Sequence, residues 1–263
     1  MNMEQAIAQW RAEERAAHIK GWDFSHIHGR YEEETDLPWD YETVVRAYLR
    51  PDASLLDIDT GGGEFLLSLH HPTERTSATE AYPPNVRLCR ETLTPLGIGF
   101  REAGDYANLP FPDQSFDLIL NRHGDYRAPE ILRLLKPGGY FITEQVGEWN
   151  DRELVELLLP GVPRPFPGWN LDRAAHDLHN VGLDVIRREE AFRPIRFYDV
   201  GALVWFARVI EWEFPGFRVD SAMRALCGAQ RRLEESGVLE GRIHRFLIVA
   251  QKPPCLESMP ISL

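Results

Sequence analysis

The sequence predicts an α/β fold, a doubly wound and mostly parallel sheet with helices on both faces. Two observations carry this. Short apolar runs alternate with helical patterns through the first two thirds of the chain, and the run LLDIDTGGGEFL places a buried strand, three glycines and a helix start in direct succession. With 263 residues, 43% of them hydrophobic, the chain has material for one large domain or a domain with a sizeable cap.

Taken in order, residues 3–20 repeat apolar side chains at helical spacing among Glu and Arg. The stretch GWDFSHIHGRYEEETDLP has no clear period and reads as irregular. Pro38 suits the first turn of a second helix, with Trp39, Val44, Val45, Tyr48 and Leu49 as its buried stripe. Strands follow at SLLDID, RTSATEA, GIGFREA, FDLILNR and GYFITEQV, separated by helices over 64–70, 84–96 and 128–135. Beyond Gly147 come a helix over 151–159, the loop PGVPRPFPGW, a helix over 171–181 and a strand over 183–192. The last strand is 245–250. The segment before it, with FYDVGALVWFARVIEWEFPGF and a helix near 221–235, is longer than a hairpin needs and reads as an inserted cap. The organisation expected is an N-terminal helical segment (1–50), a cofactor-binding domain (51–193 and 241–252) and an aromatic-rich helical cap (194–240).

Charge and cysteines narrow the function. The 41 acidic residues against 29 Lys and Arg leave a formal charge of −12, which opposes a phosphate backbone and argues against nucleic acid as a partner. Cys89, Cys227 and Cys255 are odd in number and far apart, which suits a reducing cytoplasm and supplies no metal knuckle. The N-terminus has no signal-peptide core, and the most apolar stretch, 200–210, is broken by Arg208 and too short to cross a bilayer. Paired histidines at His26 and His28 and at His176 and His179 lack further ligands at metal spacing, so no metal is expected.

The glycine loop lets backbone N–H groups and a helix N-terminus approach a ligand, and a nucleotide-like cofactor is its natural occupant; a tight turn without a ligand is the other reading. Glu80 ends the next strand, about twenty residues on, where a carboxylate accepts from a ribose diol. A dehydrogenase GxGxxG started by Gly61 and Gly63 would need a third glycine where Leu66 stands, which weighs against hydride transfer.

Together LLDIDTGGGEFL, ATEAY, GDYANLPFPDQSFDLIL and LLKPGGYFITE resemble the class I S-adenosylmethionine-dependent methyltransferases over residues 53–146. The resemblance implies a Rossmann-like, seven-stranded, mostly parallel sheet with the cap between its last two strands. It also implies S-adenosylmethionine as the cofactor, with Asp57, Gly61 and Gly63 around the methionine part and Glu80 on the ribose. Asp105 would receive the adenine amino group, Tyr106 and Ala107 would lie beside the ring, and Asn121 would face the sulfonium region. Asp59 stands where the family usually has glycine. Its carboxylate would repel the cofactor's carboxylate and attract its ammonium.

The tetrad of amino-methylating DNA enzymes is absent, since NRHG occupies 121–124. His123 there is the candidate general base, or equally a histidine in a strand-end hinge. Tyr198 and Trp205 of the cap and Trp22 of the N-terminal segment are the candidate substrate pocket, although helix packing accounts for many cap aromatics. The function expected is methyl transfer to an O, N or C atom of a small molecule in the cytoplasm, by a monomer or homodimer without nucleic acid or membrane. The alternatives are an RNA or protein methyltransferase and a cofactor-binding regulator without turnover.

Overall fold

The computed structural model describes residues 2–18 and 23–255. Its first elements are α1 (Met3–Ala16), β1 (Tyr31–Glu33), α2 (Tyr41–Tyr48), β2 (Leu55–Ile58), α3 (Glu64–Ser68), β3 (Thr76–Glu80), α4 (Pro83–Thr92) and β4 (Gly99–Glu102). Then come β5 (Phe116–Arg122), α5 (Ala128–Leu134), β6 (Leu135–Val146), α6 (Arg152–Leu158), α7 (Leu171–Asn180), β7 (Asp184–Phe197), α8 (Val200–Val209), α9 (Met223–Ser236) and β8 (Leu239–Gln251). The sheet order is β1-β7-β8-β6-β5-β2-β3-β4.

The expected α/β architecture is present, with one strand more than seven. The addition is β1, three residues paired antiparallel with β7 inside the stretch that reads as irregular. YEE is too short and too polar to show alternation, and the pairing with β7 makes it a strand. The second helix starts later than Pro38, because Asp40 caps it by accepting from Thr43 N at 2.7 Å. Both final strands extend well past their expected ends, to Phe197 in β7 and back to Leu239 in β8.

The chain divides into two compact units. One comprises residues up to Leu37 with Val146–Trp169 and Ala191–Arg245; the other comprises Pro38–Gln145, Asn170–Glu190 and the chain from Phe246 onward. In the first, Trp10, Leu154, Phe197, Trp205, Phe206 and Phe214 belong to one buried apolar cluster. Burial of such aromatics is worth roughly 1.5–3 kcal/mol each.

In the second unit β2 pairs in parallel with β3 and β5, β3 with β4, and β5 with β6. Every residue of β2 is buried, as befits an interior parallel strand covered on both faces. Parallel pairing brings the carboxyl ends of β2, β3 and β5 to one edge of the sheet, where open α/β sheets bind ligands.

Candidate active site at the glycine loop

Beyond Ile58 the chain must turn sharply from β2 into α3. It does so with positive φ at alternate residues: Asp59 at 57°, Gly61 at 65° and Gly63 at 86°. Glycine adopts that conformation freely, and Asp is one of the few other residues that tolerates it. A Cβ on Gly63 would lie 2.7 Å from a methyl of Leu93, whereas one on Gly61 would face open space.

Three carboxylates converge here. Asp57 is buried at the end of β2 and accepts from the Thr60 hydroxyl at 2.7 Å. Desolvation pushes its carboxyl up to about 7, against the Thr60 bond and with help from the charges of Asp59 and Glu80. Glu80 is buried at the end of β3; one oxygen accepts from Gly61 N at 2.9 Å and the other from Ala81 N at 2.8 Å and Tyr82 N at 2.9 Å. Asn85 Nδ2 approaches the first oxygen at 3.4 Å. The carboxylate thus pins the glycine loop to the start of α4.

Asp59 reaches across the edge. It accepts from the Tyr106 hydroxyl at 2.9 and 2.7 Å and from Asp125 N at 3.2 Å. Burial pushes its carboxyl up to about 6, opposed by the Tyr106 bond and reinforced by the Glu80 charge. Burial and the same hydrogen bond push the Tyr106 phenol well above its ordinary value. Gly124 keeps the approach open, since a Cβ there would lie 2.5 Å from Cβ of Asp59. Asp105, beyond β4, is exposed and accepts from Ala107 N at 3.1 Å, so its carboxylate shapes the turn that presents Tyr106.

Asn121 is fully buried. It donates to Ile58 O at 3.2 Å and accepts from Gln145 Nε2 at 2.6 Å and Thr143 Oγ1 at 3.2 Å. These bonds tie the ends of β2, β5 and β6 together.

His123 has φ 60° and places Nε2 3.2 Å from Oε1 of Glu144, a residue that the sequence reading missed. Glu144 is buried in β6 opposite Arg122 and also accepts from Arg122 Nε at 2.9 Å and Trp39 Nε1 at 2.6 Å. Burial raises its carboxyl, but the hydrogen bond and charge of His123, the Arg122 charge and the Trp39 bond together hold it at about 2.

The candidate substrate residues Tyr198 and Trp205 belong to the first unit. Trp205 is buried in the apolar cluster of the first unit, stacked on His26 with ring centroids 5.3 Å apart. Tyr198 is exposed and donates to Glu32 at 2.6 Å. Trp22 lies outside the described residues. His26 bonds Glu13 at 2.7 Å, and no group of three or more possible ligands is arranged for a metal among the described residues.

The donor set suits a cationic cofactor. Among the described residues no Lys, Arg or His side chain hydrogen-bonds or ion-pairs with Asp57, Asp59 or Glu80. Arg122, whose charge reaches Asp57, is held by Glu144. Crowded carboxylates short of a counter-charge favour a ligand that carries one.

Comparison with known proteins agrees with this chemistry. A family described as a methyltransferase domain matches residues 56–143. The phthiotriol/phenolphthiotriol dimycocerosates methyltransferase of Mycobacterium tuberculosis is 35% identical over 110 residues, 39% of this chain and 40% of that protein. The fatty-acid O-methyltransferase of Mycolicibacterium smegmatis is 33% identical over 89 residues, 31% of this chain and 32% of its own length. Each match thus spans well under half of the relative. A solved protein from Bacillus halodurans shares the fold at a TM-score of 0.57 and 16% identity, with 81% of this chain and 99% of that chain covered. Residues 56–143 thus match a methyltransferase domain, in agreement with the family that the sequence resembles over residues 53–146.

Proposed function

We propose that this chain transfers a methyl group from S-adenosylmethionine to a small-molecule acceptor, with an oxygen atom on an apolar, lipid-like chain as the first class to test. The observation that carries the reading is the trio of carboxylates around the glycine loop, Asp57 and Glu80 buried and Asp59 part-buried, with no Lys, Arg or His hydrogen-bonded to them among the described residues. When bound, the cofactor supplies an electrophilic methyl group on a positively charged sulfur. The chain's part is binding, orientation and proton handling. Glu80 and the Gly61 backbone define the ribose end, the Asp105–Tyr106 turn receives the adenine, and Asn121 fixes the loops that flank the methionine part.

His123 is the proposed proton acceptor. Glu144, 3.2 Å from its Nε2, orients the ring and stabilises its protonated form. Lipid acceptors are favoured by what the names of the mycobacterial relatives say those proteins methylate. The formal charge of −12 opposes RNA as the acceptor, and the three free cysteines suit a reducing cytoplasm.

The test is to incubate the protein with methyl-labelled cofactor and a panel of fatty acids, hydroxylated lipids, phenols, RNA and protein. Label in an apolar extract supports the reading. Label confined to RNA or protein moves the acceptor class, and binding without transfer to any member makes the chain a regulator. With an acceptor in hand, His123→Gln is expected to lower kcat at least about a hundredfold, the usual worth of a general base, and to leave the cofactor Kd within about twofold. Equal losses in kcat and cofactor affinity would make His123 a structural residue.

A further inference from the structure

We propose that Asp59 is the charge-selecting residue of this site, setting a preference for a sulfonium donor over the neutral thioether left after transfer. The inference rests on the cofactor reading above and concerns a side chain that this sequence adds, since glycine is usual at the position. Three features support it. The Asp59 carboxylate is anchored on one side by Tyr106, beside the turn assigned to adenine. On the other side it is anchored by Asp125 N, in the loop that follows Asn121 and the methionine region. It therefore stands between the places assigned to the two halves of the cofactor, and sulfur is the atom that joins those halves.

The second feature is electrostatic. Asp57 and Glu80 already put two buried carboxylates at this edge, and the part-buried Asp59 adds a third carboxylate, to which no Lys, Arg or His is hydrogen-bonded among the described residues. The third is conformational: Asp59 holds φ 57°, a strained setting for any side chain, and the bonds to Tyr106 and Asp125 N offset that strain. Methyl transfer forms the acceptor–carbon bond, breaks the sulfur–carbon bond and leaves the bonding pair on sulfur, so the ligand loses one positive charge. A carboxylate placed there holds the donor more strongly than the product and favours product release.

The test is titration calorimetry of wild type, Asp59→Asn and Asp59→Gly with three ligands. These are S-adenosylmethionine, S-adenosylhomocysteine, and sinefungin, which carries an amine in place of the sulfonium. Asn also tolerates a positive φ and keeps a polar group for Tyr106, so that variant removes charge with little else. The ratio of S-adenosylhomocysteine Kd to S-adenosylmethionine Kd is expected to fall about tenfold in both variants, with sinefungin following S-adenosylmethionine, as loss of one nearby charge in a partly buried site implies. All three ligands binding with an unchanged ratio would overturn the role of Asp59 alone. Wild type binding none of them would overturn the cofactor reading, and the proposal with it.

Discussion

Replacing Glu80 with alanine is expected to weaken S-adenosylmethionine binding at least about tenfold and to lower the melting temperature by several degrees. The carboxylate accepts from Gly61 N, Ala81 N and Tyr82 N, all at 2.8–2.9 Å, and is buried. Removing it leaves those donors without their acceptor, at roughly 1–3 kcal/mol for each group left unsatisfied. It also frees the loop that must present Gly61. Glu80→Gln is expected to lose affinity as well, because one side-chain oxygen becomes an NH2 group facing backbone N–H donors. Calorimetric titration and thermal melting followed by circular dichroism check both effects. Unchanged affinity in a folded Glu80→Ala protein would remove this residue from the ribose site.

The second large effect is expected at Glu144. Its carboxyl, held at about 2 against an ordinary 4.5, corresponds to about 3 kcal/mol of stability at neutral pH. The folded pKa is depressed, so the contribution is complete above about pH 4.5 and is lost as pH falls toward 2. Glu144→Gln also leaves the Arg122 guanidinium without its carboxylate and exchanges an ion pair for a neutral contact. Urea unfolding should show a loss of about 3 kcal/mol at pH 7 that shrinks by more than half at pH 3. An equal loss at both pH values would mean that packing, rather than charge, sets the cost.

The candidate cofactor edge is legible in the sequence because its signals are local. LLDIDTGGGEFL announces a strand, a turn and a helix within twelve residues, and Glu80 falls where the next strand ends. The exception at Asp59 was equally visible, but its partners were not. Tyr106 and Asp125 come from loops after β4 and β5, and only the folded sheet brings them together. Glu144 was hidden for the same reason. In FITEQ it reads as one residue of a buried strand, and only the β5–β6 register sets it opposite Arg122 and beside His123. Trp39 arrives from the loop before α2.

Among the cap aromatics, Trp205 has the packing role that the sequence also offered for many of them. α8 is buried all round from Val200 to Ala207, which puts Trp205 and Phe206 in the apolar cluster of the first unit. Tyr198 sits just outside α8 and is spent on a surface bond to Glu32. β1 escaped notice because three residues cannot establish a period.

The proposed function requires that the carboxylates of the glycine loop bind the cationic cofactor. Titration of the wild-type protein with S-adenosylmethionine between pH 5.5 and 8, in buffers of differing ionisation enthalpy, puts that requirement to the test. Asp57 and Asp59, raised to about 7 and about 6, hold protons in the free protein longer than ordinary carboxyls do. For the free protein this stabilisation fades as pH rises from about 4 toward 7; a bound cation favours the ionised forms and reverses the sign. One cofactor per chain is expected to bind, with release of protons below pH 7 and affinity that tightens at least about threefold from pH 5.5 to 7.5. No binding, or an affinity that is flat or falls over that range without proton release, would contradict it.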